Sequence, residues 1–174
     1  MDIGKVLISA DEIQARLADM GRQITEDYRD KDLVMVGILK GAFMVMADLA
    51  RHVELPVEFD FMAVSSYGAA TKTSGVVRIL KDLDQEIAGR HVLIVEDIID
   101  SGLTLHYLIR NLKVRQPESL NIAALLIKDG IERPPLSIEY EGFHIPPEFV
   151  IGYGLDYAGK YRNLPYVAVM DPDD

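Results

Sequence analysis

Three nearly unbroken apolar stretches constrain this chain more than anything else in it: LVMVGIL at residues 33–39, VLIV at 92–95 and LNIAALLI at 120–127. A strand with one wet face alternates in polarity, and these do not, so each reads as a strand covered on both faces. The first is followed by a largely buried helical pattern over residues 41–51, and the second by a helix with Leu105, Leu108, Ile109 and Leu112 on its apolar side. Strands alternating with helices predict an α/β fold, a mostly parallel twisted sheet flanked by helices. Ligands of such sheets bind beyond the carboxyl ends of the strands. The turns after Leu39, Val95 and Ile127 would then share one rim.

The rest of the chain fits around that frame. Ser9-Ala10-Asp11-Glu12 has the form of a capping box, and Ile13, Leu17, Met20, Ile24 and Tyr28 follow at helical spacing. Val57, Phe59, Phe61 and Ala63 alternate with Glu58, Asp60 and Met62, which predicts a strand with the second set on its wetter face. The segment SSYGAATKTSG at 65–75 breaks every periodicity and reads as a mobile loop of about residues 65–77, with 76–80 returning as its partner strand. After Lys128 the texture is punctuated by Pro and Gly, with short apolar runs at 149–151 and 166–170, and reads as a small appended lobe.

Composition narrows the function. At 174 residues, 49% hydrophobic, the chain suits one domain spanning 1–174. It has neither an apolar run of the roughly 20 residues a membrane span needs nor a basic-then-apolar leader, so a soluble, cytoplasmic protein without membrane partners is expected. Without cysteine, any metal must sit on oxygen or imidazole. His52, His91, His106 and His144 show no ligand spacing. A net charge of -10 opposes general nucleic-acid binding, which needs a basic surface. A small anionic substrate would need local cations such as Lys40, Lys128, Lys160 and Arg162, or a divalent metal.

The chemistry concentrates in VLIVEDIIDSGLTL, residues 92–105. Glu96, Asp97 and Asp100 place three carboxylates within five positions at a strand end, while Ile98 and Ile99 hold the turn against the core. Ser101, Gly102 and Thr104 offer hydroxyls and close backbone approach, and the helix that follows aims its unpaired N–H groups at the same point. The combination suits a phosphorylated sugar.

This stretch resembles the phosphoribosyl pyrophosphate signature of type I phosphoribosyltransferases. LKDLDQEIAGRHVLIVEDIIDSGLTL, residues 80–105, is similar to the hypoxanthine-guanine members, and the likeness runs from about Leu33 to Met170. The resemblance implies the type I fold, with hood elements mainly within 128–174 plus the N-terminus. Its implied chemistry is magnesium-dependent transfer of a phosphoribosyl group to N9 of hypoxanthine or guanine in purine salvage, by a homodimer or homotetramer.

Residue by residue, it makes Glu96 and Asp97 the ribose-hydroxyl and magnesium pair and Asp100 the proton acceptor near purine N7. Asp100, Ser101, Gly102, Leu103 and Thr104 would cradle the 5'-phosphate, although Leu103 stands where many relatives carry a polar or basic side chain. Lys40, Gly41 and Arg162 would hold pyrophosphate, with Ser66 and Tyr67 on the closing loop. Lys128 would donate to the 6-oxo group, Phe149 and Val150 would stack on the purine and meet its edge, and Asp156 would be a second magnesium-associated carboxylate. Xanthine is an alternative base. A regulator that senses phosphoribosyl pyrophosphate and binds nucleic acid is an alternative of another class, opposed by the acidic balance and the joint presence of Lys40, Asp100, Lys128 and Arg162.

Overall fold

The computed structural model describes residues 3–66 and 77–171. Twelve elements follow in order: β1 (Val6–Ile8), α1 (Ala10–Asp27), β2 (Leu33–Leu39), α2 (Phe43–Ala50), β3 (Glu58–Ser66), β4 (Val77–Lys81), β5 (His91–Ile99), α3 (Leu103–Lys113), β6 (Ser119–Lys128), β7 (Tyr140–Ile145), β8 (Val150–Ile151) and β9 (Val167–Val169). Six strands form the main sheet in the order β4-β3-β2-β5-β6-β7. Only the β3–β4 pair is antiparallel; β2 runs parallel to β3 and β5, and β6 parallel to β5 and β7.

Period-two alternation in the apolar runs divides the core into two layers. Leu33, Met35, Leu93 and Val95 pack with Ile13, Leu17, Met20 and Ile24 of α1 and with Val45 and Leu49 of α2. Val34, Val36, Val92 and Ile94 point the other way, against Leu105, Leu108 and Leu112 of α3. The sheet is therefore sandwiched by helices, the architecture expected from the sequence. The α1 capping box forms: the Ser9 hydroxyl accepts from Glu12 N–H, and the Glu12 carboxylate accepts from Ser9 N–H, each at 3.1 Å. Among the described residues no helix is long and apolar enough to cross a membrane.

Two expectations need correction. In β3 two of the three supposed wetter residues are buried: Glu58 is exposed, but Asp60 is 2% and Met62 0% exposed, whereas Phe59 is 45% exposed. Asp60 tolerates burial because backbone donors replace its water. Its Oδ1 accepts from Phe61 N–H at 2.8 Å, and its Oδ2 from Asp84 and Gln85 N–H at 3.0 and 3.1 Å. Phe59 and Phe61 instead line an open apolar groove of about 470 Å³ with Phe43, Met46, Ala47 and Ala50 of α2.

The second correction concerns the segment after Lys128, part of which belongs to the main sheet. β7 pairs in parallel with β6, Ala123 opposite Tyr140 through Lys128 opposite Ile145. Gly142 permits it, since a Cβ there would stand 2.2 Å from Leu125 O. The later runs form a separate antiparallel sheet, β1-β9-β8, in which Val6 pairs with Ala168 and Val150 with Val169.

Candidate functional site

Because β2, β5 and β6 are parallel, their carboxyl ends deliver Lys40, the Glu96–Asp100 segment and Lys128 to one rim. The turn after β5 reverses at Gly102, whose φ of 73° lies in the left-handed region where a side chain is strained. Gly102 caps α3 with no side chain of its own, so the first-turn N–H groups beyond Leu103 keep their anion-binding capacity. A cavity of about 230 Å³ opens there, lined by Glu96, Ile98, Asp100, Ser101, Gly102 and Thr104 together with Ile38, Ile99 and Leu105. Leu103, half-buried, starts the helix, and its N–H donates to Ser101 Oγ at 3.4 Å. Asp100, Ser101, Gly102 and Thr104 thus line one cavity, with Leu103 beside it.

Glu96 ends the continuous buried run of β5, and Asp97 beside it is half-buried. Burial pushes the Glu96 carboxyl well above the usual range, and the Asp97 charge beside it adds to the effect. Burial also raises Asp97, while the Ile98 N–H and the Arg162 guanidinium pull the other way. Asp97 Oδ1 accepts from Ile98 N–H at 2.7 Å. Its other oxygen packs on Gly41, where a Cβ would stand 1.8 Å from Asp97 Oδ2. Gly41 therefore makes room for the acidic pair. It is also overlain by Gly154, whose Cβ would stand 2.1 Å from Gly41 O. Lys40 beside it is exposed, and the Leu39–Lys40 peptide is cis.

On the other side of the turn, Lys128 Nζ donates to Asp100 Oδ2 at 3.1 Å; the lysine side chain is 13% exposed and the aspartate 56%. A donor and an acceptor thus stand side by side at the ends of neighbouring strands. Phe149 is 40% exposed and meets Tyr157 edge-on at 5.9 Å, while Val150 is buried in β8. Arg162 donates to Gly154 O at 2.6 Å and pairs with Asp156 Oδ1 at 3.4 Å. Asp156 Oδ2 accepts from Gly159 N–H at 2.9 Å.

Among the described residues no three Asp, Glu or His side chains converge on one point that could hold a metal. Glu96 with Asp97, and Asp156 apart from them, are hard oxygen donors in ones and twos. That donor set fits magnesium, which keeps several waters and takes ligands from substrate phosphates. Ser66 ends β3 opposite Val77; Tyr67 and most of the expected mobile loop lie outside the described residues.

Two contacts had no signature in the sequence. Arg133 Nε donates to Asp100 O at 3.1 Å, and its Nη2 donates to Lys128 O. Tyr153, buried and at φ 49°, donates its hydroxyl to Asp48 of α2, tying the segment between β8 and β9 to the helix behind Gly41. Both residues act through backbone or through a distant element, which no periodicity marks. For Arg133, the following Pro134-Pro135 was the nearest clue.

Paired carboxylates at a strand end, beside a helix that opens on a phosphate turn, define a class of protein that handles phosphorylated sugars. The chain belongs to the phosphoribosyl transferase family, whose phosphoribosyl transferase domain matches residues 9–158. It is 54% identical to the hypoxanthine-guanine phosphoribosyltransferase of Mycobacterium avium over 98% of this chain and 87% of that one. The Bacillus subtilis protein of the same name is 49% identical, over 98% of this chain and 95% of its relative. A crystal structure of a hypoxanthine phosphoribosyltransferase from Staphylococcus aureus superposes with a TM-score of 0.95 at 44% identity, covering 99% of this chain and 94% of that one.

Proposed function

We propose that this chain catalyses a purine-salvage step, moving the 5-phosphoribosyl group of phosphoribosyl pyrophosphate to N9 of hypoxanthine or guanine and releasing IMP or GMP with pyrophosphate. The observation that carries the reading is the Lys128–Asp100 couple, a donor 3.1 Å from an acceptor beside the phosphate turn. A 6-oxopurine protonated at N7 presents the complementary pair on one edge: an acceptor at O6 and a donor at N7. The C1'–N9 bond forms as the bond from C1' to the pyrophosphate oxygen breaks, and the N7 proton passes to Asp100. Phe149 offers an exposed face for the base. The turn from Ser101 to Thr104 holds the 5'-phosphate, while Lys40, Gly41, Ser66, Tyr67 and Arg162 take the pyrophosphate side.

Glu96 and Asp97 bind the ribose hydroxyls and would hold magnesium, with Asp156 near a second position. Magnesium supplies charge neutralisation for the diphosphate. Phosphoribosyl pyrophosphate and its nucleotide products carry several charges and do not cross a bilayer unaided, which supports a cytoplasmic enzyme. A homodimer or homotetramer is supported by the exposed apolar groove that holds Phe43 and Phe59.

Purified protein assayed with hypoxanthine, guanine, xanthine and adenine tests the assignment. Turnover should follow the 6-oxo group and be negligible with adenine, because an ammonium has only donors to offer a 6-amino group. Lys128→Met should reduce kcat/KM for hypoxanthine by about 100-fold, the loss expected of a charged donor left out of a buried contact. Adenine turnover equal to that of hypoxanthine would overturn the assignment.

A further inference from the structure

Arg133 links two parts of the rim that its position in the sequence does not suggest. The donors Nε–H and Nη2–H on one edge of its planar guanidinium lie side by side. One is donated to Asp100 O at 3.1 Å, where β5 runs into the phosphate turn, and the other to Lys128 O, the last residue of β6. Arg16 spends the same two donors on one carbonyl, Glu141 O, at 3.1 and 2.6 Å. Arg133 divides them between the two residues whose side chains form the donor and acceptor couple.

The approach of this side chain is set by its own segment. Arg133 precedes Pro134, which disfavours helical backbone at Arg133. The same segment lies on the phosphate turn: a Cβ at Gly102 would stand 2.7 Å from Leu136 Cδ1 and 3.7 Å from Arg133 Cβ. Asp100 is 56% exposed and has no burial of its own to hold it. In the free protein, the Lys128 ion pair restrains it. A base engaging both side chains must loosen that pair, and the carbonyl clamp beneath is untouched by the exchange.

We propose that Arg133 is a positioning residue that sets the spacing of Asp100 and Lys128 when a 6-oxopurine occupies both. This rests on the purine-transfer reading above. It makes the base subsite depend on a residue that touches neither substrate. Lysine cannot reproduce the clamp, because one ammonium is not a fixed fork with two parallel donors.

The test uses Arg133→Met and Arg133→Lys. The measurements are kcat and KM for hypoxanthine and guanine, the affinity for phosphoribosyl pyrophosphate with magnesium in the absence of base, and the thermal midpoint. Misplacement by an ångström can cost about 100-fold. The expected result is a fall of about 10- to 100-fold in kcat/KM for the base in both variants, with phosphoribosyl pyrophosphate affinity within about threefold of wild type. Asp100→Asn should also cost less in the Arg133→Met background than alone. An active wild type whose Arg133 variants keep their base KM and kcat, or lose both affinities in step with the thermal midpoint, would overturn this inference alone. A wild type without transfer to any 6-oxopurine would overturn the proposed function and the inference with it.

Discussion

Replacing Gly41 by alanine tests whether the loop after β2 exists to seat Asp97. The backbone of Gly41 is outside the left-handed region, so alanine adds a methyl group without conformational strain. That methyl would stand 1.8 Å from Asp97 Oδ2 and 2.8 Å from its Cγ, where real contacts are essentially never under 3.0 Å. The carboxylate must retreat by about 1.2 Å at the least, against its 2.7 Å bond from Ile98 N–H. With Asp97 in the ribose-holding role proposed above, a shift of that size costs about 100-fold in turnover, or about 2.7 kcal/mol of transition-state stabilisation.

The assay is steady-state formation of IMP with phosphoribosyl pyrophosphate varied at saturating hypoxanthine and magnesium. The control is Gly41→Ala in an Asp97→Ala background. If displacement of Asp97 is the whole effect, the second methyl costs nearly nothing there. A single Gly41→Ala variant within about threefold of wild type, or the same loss in both backgrounds, would refute the reasoning.

Two further outcomes follow from groups outside the site. Asp60→Ala removes the acceptor of three part-buried backbone N–H bonds and should cost roughly 3 kcal/mol in urea denaturation, with Asp60→Asn closer to 1 because the amide keeps one oxygen. A loss below about 0.5 kcal/mol for alanine would contradict the accounting of β3. The His144 imidazolium is raised above its usual range by its bonds to Glu141 first and Asp129 second. Its contribution to stability is therefore complete below the unfolded value of about 6.5 and disappears as pH rises through the higher folded value. The difference in thermal midpoint between wild type and His144→Gln should be largest below about pH 6.5 and close as pH rises above it; a gap that widens with pH would reverse that sign.

The parts legible in the sequence were those decided by local pattern. Continuous apolar runs placed β2, β5 and β6 at the centre of a doubly covered sheet, and Ser9 with Glu12 announced the start of α1. The phosphate turn was readable because strand, acidic residues, glycine and helix are contiguous between Val92 and Leu105. The faces of β3 were not, since alternation shows that two faces differ but not which is wet. Asp60 is buried through the amides of Asp84 and Gln85, more than twenty positions away. β7 escaped notice because its parallel pairing depends on Gly142 sliding against Leu125 O, a contact with no local trace. The long-range character of the Arg133 clamp hid it in the same way.

The small sheet joins residues from opposite ends of the described chain, with β9 between β1 and β8. During synthesis from the N-terminus, β1 emerges early and has no partner until residues 167–169 clear the ribosome. The six strands of the main sheet are all made before then, so the turn after β5 can take shape while Phe149 O still lacks its donor just beyond β9, the Met170 N–H at 3.0 Å. The order of manufacture is thus the turn after β5 first and the setting of Phe149 last. Trimming the last strand would leave both β1 and β8 unpaired at once, so damage at one end of the chain is felt at the other.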